Sequence, residues 1–211
     1  MAERKTIVYP NPEVLAQAVA ARTLLTIIDL LAEPDRQRVD IAVTGGTDGI
    51  YVLKVMGESP LADAVDWRRV HVWWGDERFV AADDDDRNAK QAREAWFGKL
   101  IEDGLMPAGN IHEMPADGRD ADEIASASPE QTDAVLAAAA AEYQRELVEQ
   151  LGSEPALDIA MFGVGPDAHF ASLFPDHGEA EIDDPHVLVA GVRDSPKPPP
   201  LRLTLTVPMI A

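Results

Sequence analysis

Residues 39–49 read VDIAVTGGTDG. A short apolar run closed by two adjacent glycines is a buried strand that ends in a sharp turn. Ile50 to Met56 behind it reads as the body of a helix. Two later stretches follow a related pattern. Val70 to Trp74 (VHVWW) leads into the loop GDERFVAADDDDRN and a helix from Ala89 to Leu100. Asp158 to Phe162 (DIAMF) reads as another buried strand, and it leads into GVGPDAHFASLFP, whose first residue is Gly163. Strands alternating with helices of this length build a parallel sheet. The expected fold is therefore α/β: an open, mostly parallel Rossmann-like sheet with helices on both faces.

The rest of the chain fits around this core. Lys5 to Tyr9 alternates and reads as a short strand, and Asn11-Pro12-Glu13 opens an apolar helix that runs to Ala32. Asn110 to Met114 reads as a strand and Ala116 to Ala127 as a surface loop. Ser128-Pro129-Glu130-Gln131 has the form of a capping box ahead of an alanine-rich helix that stops at Gly152. His186 to Val192 and Leu201 to Val207 are two further strands. No linker divides the chain, so a single α/β domain over 1–211 is expected.

Composition narrows the function. Of 211 residues, 18 are basic and 38 acidic, a formal net charge of −20. Nucleic acid and anionic membranes are disfavoured partners, because both require an extended basic surface. A small anionic substrate is not, since it answers to a local site. There are no cysteines, which removes thiolate catalysis and cysteine-ligated metal and fits a reducing cytoplasm. No run approaches the roughly 18 apolar residues of a membrane span, and the N-terminus lacks the apolar region of a signal peptide.

In open parallel sheets, ligands bind beyond the carboxyl ends of the strands. Three polar, glycine-containing loops occupy that position: TGGTDG, GDER and GVGPDAH. In the first, Gly45 and Gly46 allow a sharp turn whose N–H groups approach an anion at a helix N-terminus, and Thr47 adds a hydroxyl. A plain strand-to-helix turn explains the same glycines. In the second, the Arg78 guanidinium suits bidentate capture of phosphate or carboxylate, with Asp76 and Glu77 to orient it. An internal salt-bridge cluster explains that spacing equally well. In the third, His169 is the candidate base, and Asp167, two residues earlier, is placed to fix its tautomer. Lys197 and Arg202, in SPKPPPLRLTLT, are candidates to complete an anion site. Asp167, His169, Asp176 and His177 fit no common metal spacing, and Ser172 lacks a nucleophile elbow.

Together GVGPDAHFASLFPDH, WWGDERFV, TGGTDG and SPKPPPLRLTLTVP resemble the 6-phosphogluconolactonases of the glucosamine-6-phosphate isomerase/6-phosphogluconolactonase family. The resemblance runs from residue 39 to the last residue. It implies hydrolysis of 6-phospho-D-glucono-1,5-lactone to 6-phosphogluconate in the pentose phosphate pathway, without metal or organic cofactor. His169 would activate water with support from Asp167. Gly45, Gly46, Thr47, Arg78, Lys197 and Arg202 would hold the phosphate or ring hydroxyls. The implied partner is a small phosphorylated sugar lactone, and the implied protein a cytoplasmic monomer or weak homo-oligomer. The alternatives are a sugar-phosphate isomerase or deaminase on the same kind of fold, and a non-catalytic sugar-phosphate binder.

Three departures from the family pattern stand out. Position 168 is Ala where Gly is usual, which costs on the order of 1 kcal/mol if φ is positive there. TGGTDG replaces the commoner SGGST type. The chain ends at MIA, where the family usually continues through another strand and helix, so either the sequence stops short of that segment or the protein has lost it.

Overall fold

The computed structural model describes residues 5–211. In chain order the main elements are α1 (Pro12–Leu31), β1 (Val39–Val43), α2 (Gly46–Glu58), β2 (Val70–Trp74) and β3 (Asp76–Arg78). These are followed by α3 (Asn88–Ala92), α4 (Gly98–Glu102), α5 (Ala121–Ser126), α6 (Pro129–Leu151), β4 (Ile159–Ala160), β5 (Val189–Val192), β6 (Arg202–Leu205) and α7 (Val207–Ile210). A π-helical turn over Arg93–Phe97 joins α3 to α4 and sends Trp96 and Phe97 into the core. Buried apolar residues from Ala16 to Met209 pack into one core.

The α/β expectation holds. Strands β2, β1 and β4 form a parallel sheet in that order, with Val39 opposite Val70 and Ile41 opposite Ile159. Every residue of β1 is buried, as expected of a strand covered on both faces. The carboxyl ends of β1, β2 and β4 therefore share one edge, where the three polar loops emerge.

The last strands depart from a mostly parallel sheet. Strands β3, β6 and β5 form a second sheet, antiparallel throughout. The link from β5 to β6, residues 193–201, contains no helix, and neighbouring strands joined without a crossover helix pair antiparallel. Gly75 joins the sheets: its N–H donates to the Val43 carbonyl at 3.2 Å, and its own carbonyl accepts from Leu205 N–H at 2.9 Å. GDER is thus partly strand rather than loop.

Other boundaries shift for local reasons. Residues 5–9 form no strand; Val8 is 88% exposed, and alternation without a pairing neighbour makes no ladder. The strand expected at Asn110 to Met114 reduces to one bridge, Ile111 to Val72. The loop from Ala116 to Ala127 carries α5, nucleated by an Asp120–Glu123 capping box. The strand expected as buried at Asp158 to Phe162 is a half-exposed edge with a two-residue ladder.

The helix signals at α1 and α6 hold. Asn11 accepts the Val14 N–H at 2.8 Å, and Ser128 and Gln131 cap α6 reciprocally. Contrary to the expectation from sequence, α1 is long and apolar enough, by length and composition, to cross a membrane. Here it packs through Ala16, Ala20, Thr23, Leu24 and Ile27 into the core.

Candidate active site

A cleft of about 480 Å³ opens at the carboxyl edge of the parallel sheet. The Thr44–Gly49 turn forms one wall, with Asp76 and Arg78 of β3 and Asn88 of α3 beside it. The Gly163–Pro166 turn, His169, Lys197 and Arg202 form the remainder. Eight of the ten residues singled out from the sequence lie in this lining: Gly45, Gly46, Thr47, Asp76, Arg78, His169, Lys197 and Arg202. Asp167 sits behind His169, and Glu77 is fully buried beneath the floor.

The turn before α2 has no side-chain cap, so its first N–H groups are open to an anion, with the helix dipole behind them. Gly46 has φ of 76°, a left-handed conformation that favours glycine. Gly45, at φ −87°, does not need glycine for its backbone.

Arg78 and Arg202 face each other across β3 and β6. Arg202 is 6% exposed; its Nε donates to the Pro199 carbonyl at 2.8 Å and its Nη2 to those of Pro198 and Lys197. Burial first, and then the Arg78 charge, make its guanidinium less basic than usual. Neither arginine has a carboxylate ion-pair partner among the described residues. In a chain of net charge −20, this is a local concentration of unpaired positive charge.

The orienting role expected of Asp76 and Glu77 takes a different form. Glu77 accepts the main-chain N–H groups of Arg78, Asn88 and Ala89 at 2.7, 2.7 and 2.9 Å, so it anchors α3 to β3. Burial pushes its carboxyl up, opposed by the nearby Arg87 guanidinium. Asp76 accepts the Ser172 hydroxyl at 2.7 Å, which ties β3 to the loop after His169. The Arg78 guanidinium itself donates to the Asp86 carbonyl at 2.6 Å. A folded loop, rather than a neighbouring carboxylate, aims it.

His169 Nδ1 lies 2.5 Å from Asp167 Oδ1. The carboxylate can only accept, so Nδ1 carries the proton and Nε2 is left as the free base. Asp167 is held down to about 2, chiefly by the His169 hydrogen bond. Lys197 Nζ lies 3.3 Å from Asp167 Oδ1 and 3.2 Å from His169 Nδ1, a position beside the pair that its spacing did not suggest. The turn closes through Gly165 N–H to the His169 carbonyl (2.8 Å) and Ala168 N–H to the Gly165 carbonyl (2.9 Å). A side chain at Gly165 would overlap the imidazole. Ala168 has φ of 67°, the strained conformation considered from the sequence.

One cleft residue and one residue that braces the site were not singled out as such from the sequence. Asn88 looked like part of an acidic loop before a helix, and Ser172 was weighed only as a nucleophile. The identity of Asn88 ahead of a helix was the available signal. No group of three or more His, Asp or Glu side chains among the described residues is arranged to hold a metal ion.

Known proteins share this architecture. The family described as glucosamine-6-phosphate isomerases/6-phosphogluconolactonase matches residues 10–211. A 6-phosphogluconolactonase of Streptomyces coelicolor is 38% identical over 97% of this chain and 73% of its own length. That of Mycobacterium tuberculosis is 37% identical over 96% of this chain and 75% of its own. Among solved structures, the 6-phosphogluconolactonase from Trypanosoma cruzi superposes with a TM-score of 0.76 at 26% identity, covering 97% of this chain and 75% of that one. The Thermotoga maritima enzyme gives 0.71 at 26% identity, covering 96% and 78%. The chain belongs to the glucosamine-6-phosphate isomerase/6-phosphogluconolactonase family.

Proposed function

We propose that this protein hydrolyses 6-phospho-D-glucono-1,5-lactone to 6-phosphogluconate, the activity for which its relatives are named. One observation carries the reading: a single cleft unites an Asp-buttressed histidine with an uncapped helix N-terminus and two unpaired arginines.

In this reading the phosphate rests on the N–H groups of Gly45, Gly46 and Thr47 and against Arg78 and Arg202. Binding there holds the lactone carbonyl near His169, so remote affinity assists the reacting centre. His169 Nε2 takes a proton from water as the oxygen attacks the carbonyl carbon. Asp167 stabilises the imidazolium that forms, and Lys197 beside it keeps Asp167 ionised. The tetrahedral oxyanion then collapses, the ring carbon–oxygen bond breaks, and the imidazolium returns its proton to the departing ring oxygen. The net change is addition of one water, and the acid product loses its proton to solvent. The enzyme is read as cytoplasmic, a monomer or weak homo-oligomer.

The test is hydrolysis of freshly generated lactone with the spontaneous rate subtracted. Turnover above background is expected. Ammonia release or ketose formation from hexosamine or hexose 6-phosphates would indicate the isomerase/deaminase branch instead, and phosphate-ligand binding without turnover a non-catalytic protein.

A further inference from the structure

The two glycines of the TGGTDG turn are required for different reasons. At Gly46 the backbone is left-handed and the space around it is open. At Gly45 the backbone suits any residue, but an added methyl would overlap the side-chain amide of Asn88. The constraint on position 45 therefore comes from a residue on another element.

Asn88 is 1% exposed and lines the cleft. Its N–H donates to Glu77 at 2.7 Å and its Nδ2 to the Asp76 carbonyl at 2.9 Å, so the amide is fastened to β3. Among the described residues its Oδ1, buried, has no hydrogen-bond partner. A buried acceptor left without a partner is destabilising, and an apolar side chain would avoid that. What the amide adds here is a rigid plane, bonded to β3 on one side and filling on the other the space a Cβ at Gly45 would take.

We propose that Asn88 is the positioning residue that sets the separation between the Gly45–Gly46 turn and the arginine-bearing strand β3. The Gly45–Gly46 turn and Arg78 come from different strand–loop units, β1–α2 and β2–β3, with Arg202 alongside on β6, and the amide of Asn88 is the spacer between the turn and Arg78. Without it, the turn settles toward β3 and its N–H groups no longer converge with Arg78 on one phosphate. This inference rests on the phosphate-site reading above.

The test is equilibrium binding of inorganic phosphate and 6-phosphogluconate to the wild type, Asn88→Ala, Asn88→Ser, Gly45→Ala and the Gly45→Ala/Asn88→Ala double variant, alongside lactone kcat and KM. Thermal melting identifies any variant that fails to fold, and Asn88→Ser serves if Asn88→Ala does so. Asn88→Ala weakens phosphate binding and raises KM about tenfold with little change in kcat, and Gly45→Ala weakens binding by at least as much. In the double variant the added methyl enters the vacated space, and binding returns to within about threefold of Asn88→Ala alone. Wild-type affinity in Asn88→Ala, or single losses that simply multiply in the double variant, would overturn the positioning role. Absence of phosphate binding in the folded wild type would instead remove the phosphate site, and this inference with it.

Discussion

Arg78 and Arg202 are register partners in the antiparallel pair β3–β6, two like charges set directly opposite one another. Such pairs destabilise a sheet, and Arg202 bears the added cost of burial. An anion bound between them would relieve both. Arg78→Ala is expected to raise KM for the lactone by about ten- to hundredfold with a smaller effect on kcat, in line with one lost charged hydrogen-bond partner. Steady-state kinetics check this, and an unchanged KM would leave Arg78 as a structural contact of Asp86.

Ligand-linked stability gives an independent reading of the same cradle. Phosphate that binds only the folded protein stabilises it by about 2.7 kcal/mol at a hundredfold excess over Kd. Melting temperature should therefore climb with phosphate in the wild type and respond far less in Arg78→Ala. An equal response in both would place the anion elsewhere.

His169→Ala should reduce kcat by about 10²- to 10⁴-fold, the usual contribution of a general base, while leaving 6-phosphogluconate affinity within about threefold. Parallel loss of turnover and binding would assign His169 to ligand capture instead. Asp167→Asn tests its partner: the amide can donate to Nδ1 and so favour the wrong tautomer, which predicts a fall in kcat with KM retained.

Ala168 holds φ at 67° immediately before the candidate base. Ala168→Gly should raise unfolding free energy by about 1 kcal/mol, because glycine adopts this conformation without the Cβ clash. Chemical denaturation measures it. Equal stability of the two proteins would mean that the turn is not strained.

A second histidine cluster contributes to the pH dependence of stability. His112 Nδ1 lies 2.6 Å from Glu146 and donates to it, and His112 Nε2 lies 2.9 Å from His71 Nδ1. Trp73 stacks on His112 at 3.9 Å and donates from its indole to Asp40 Oδ1 at 2.9 Å, while Arg38 donates to both oxygens of that carboxylate. Burial first, then the Arg38 charge, lowers His71 from 6.5 to about 4, against the opposing pull of Asp40. The unfolded chain thus binds this proton near pH 6.5 and the folded protein only near pH 4. The contribution to stability is full above pH 6.5 and declines as pH falls toward 4. Denaturation midpoints across that window should drop in the wild type and drop less steeply in His71→Gln.

Much of the site was readable before folding because it is written in punctuation. TGGTDG, GDER and GVGPDAH each follow an apolar run, and strand alternation with helices puts such loops at one edge. That logic brought Gly45, Arg78 and His169 to the same cleft without knowledge of any contact. It failed for Asn88 and for the position of Lys197, whose contacts lie 43 residues back at Gly45 and 28 residues back at His169. It also failed at residues 5–9, where alternation was present but no strand lay alongside.

The sequence by itself determined the α/β class, the caps of α1 and α6, and eight of the residues that line the cleft. These follow from side-chain periodicity and turn chemistry, which act over a few residues. Only the tertiary structure decided that β5 and β6 pair antiparallel, that Arg202 sits opposite Arg78, that Glu77 anchors α3 rather than orienting Arg78, and that the Asn88 amide fills the space beside Gly45. Each of these is a choice among distant partners. Local pattern sets which faces are buried, but the partner each face meets depends on the packing of the whole chain.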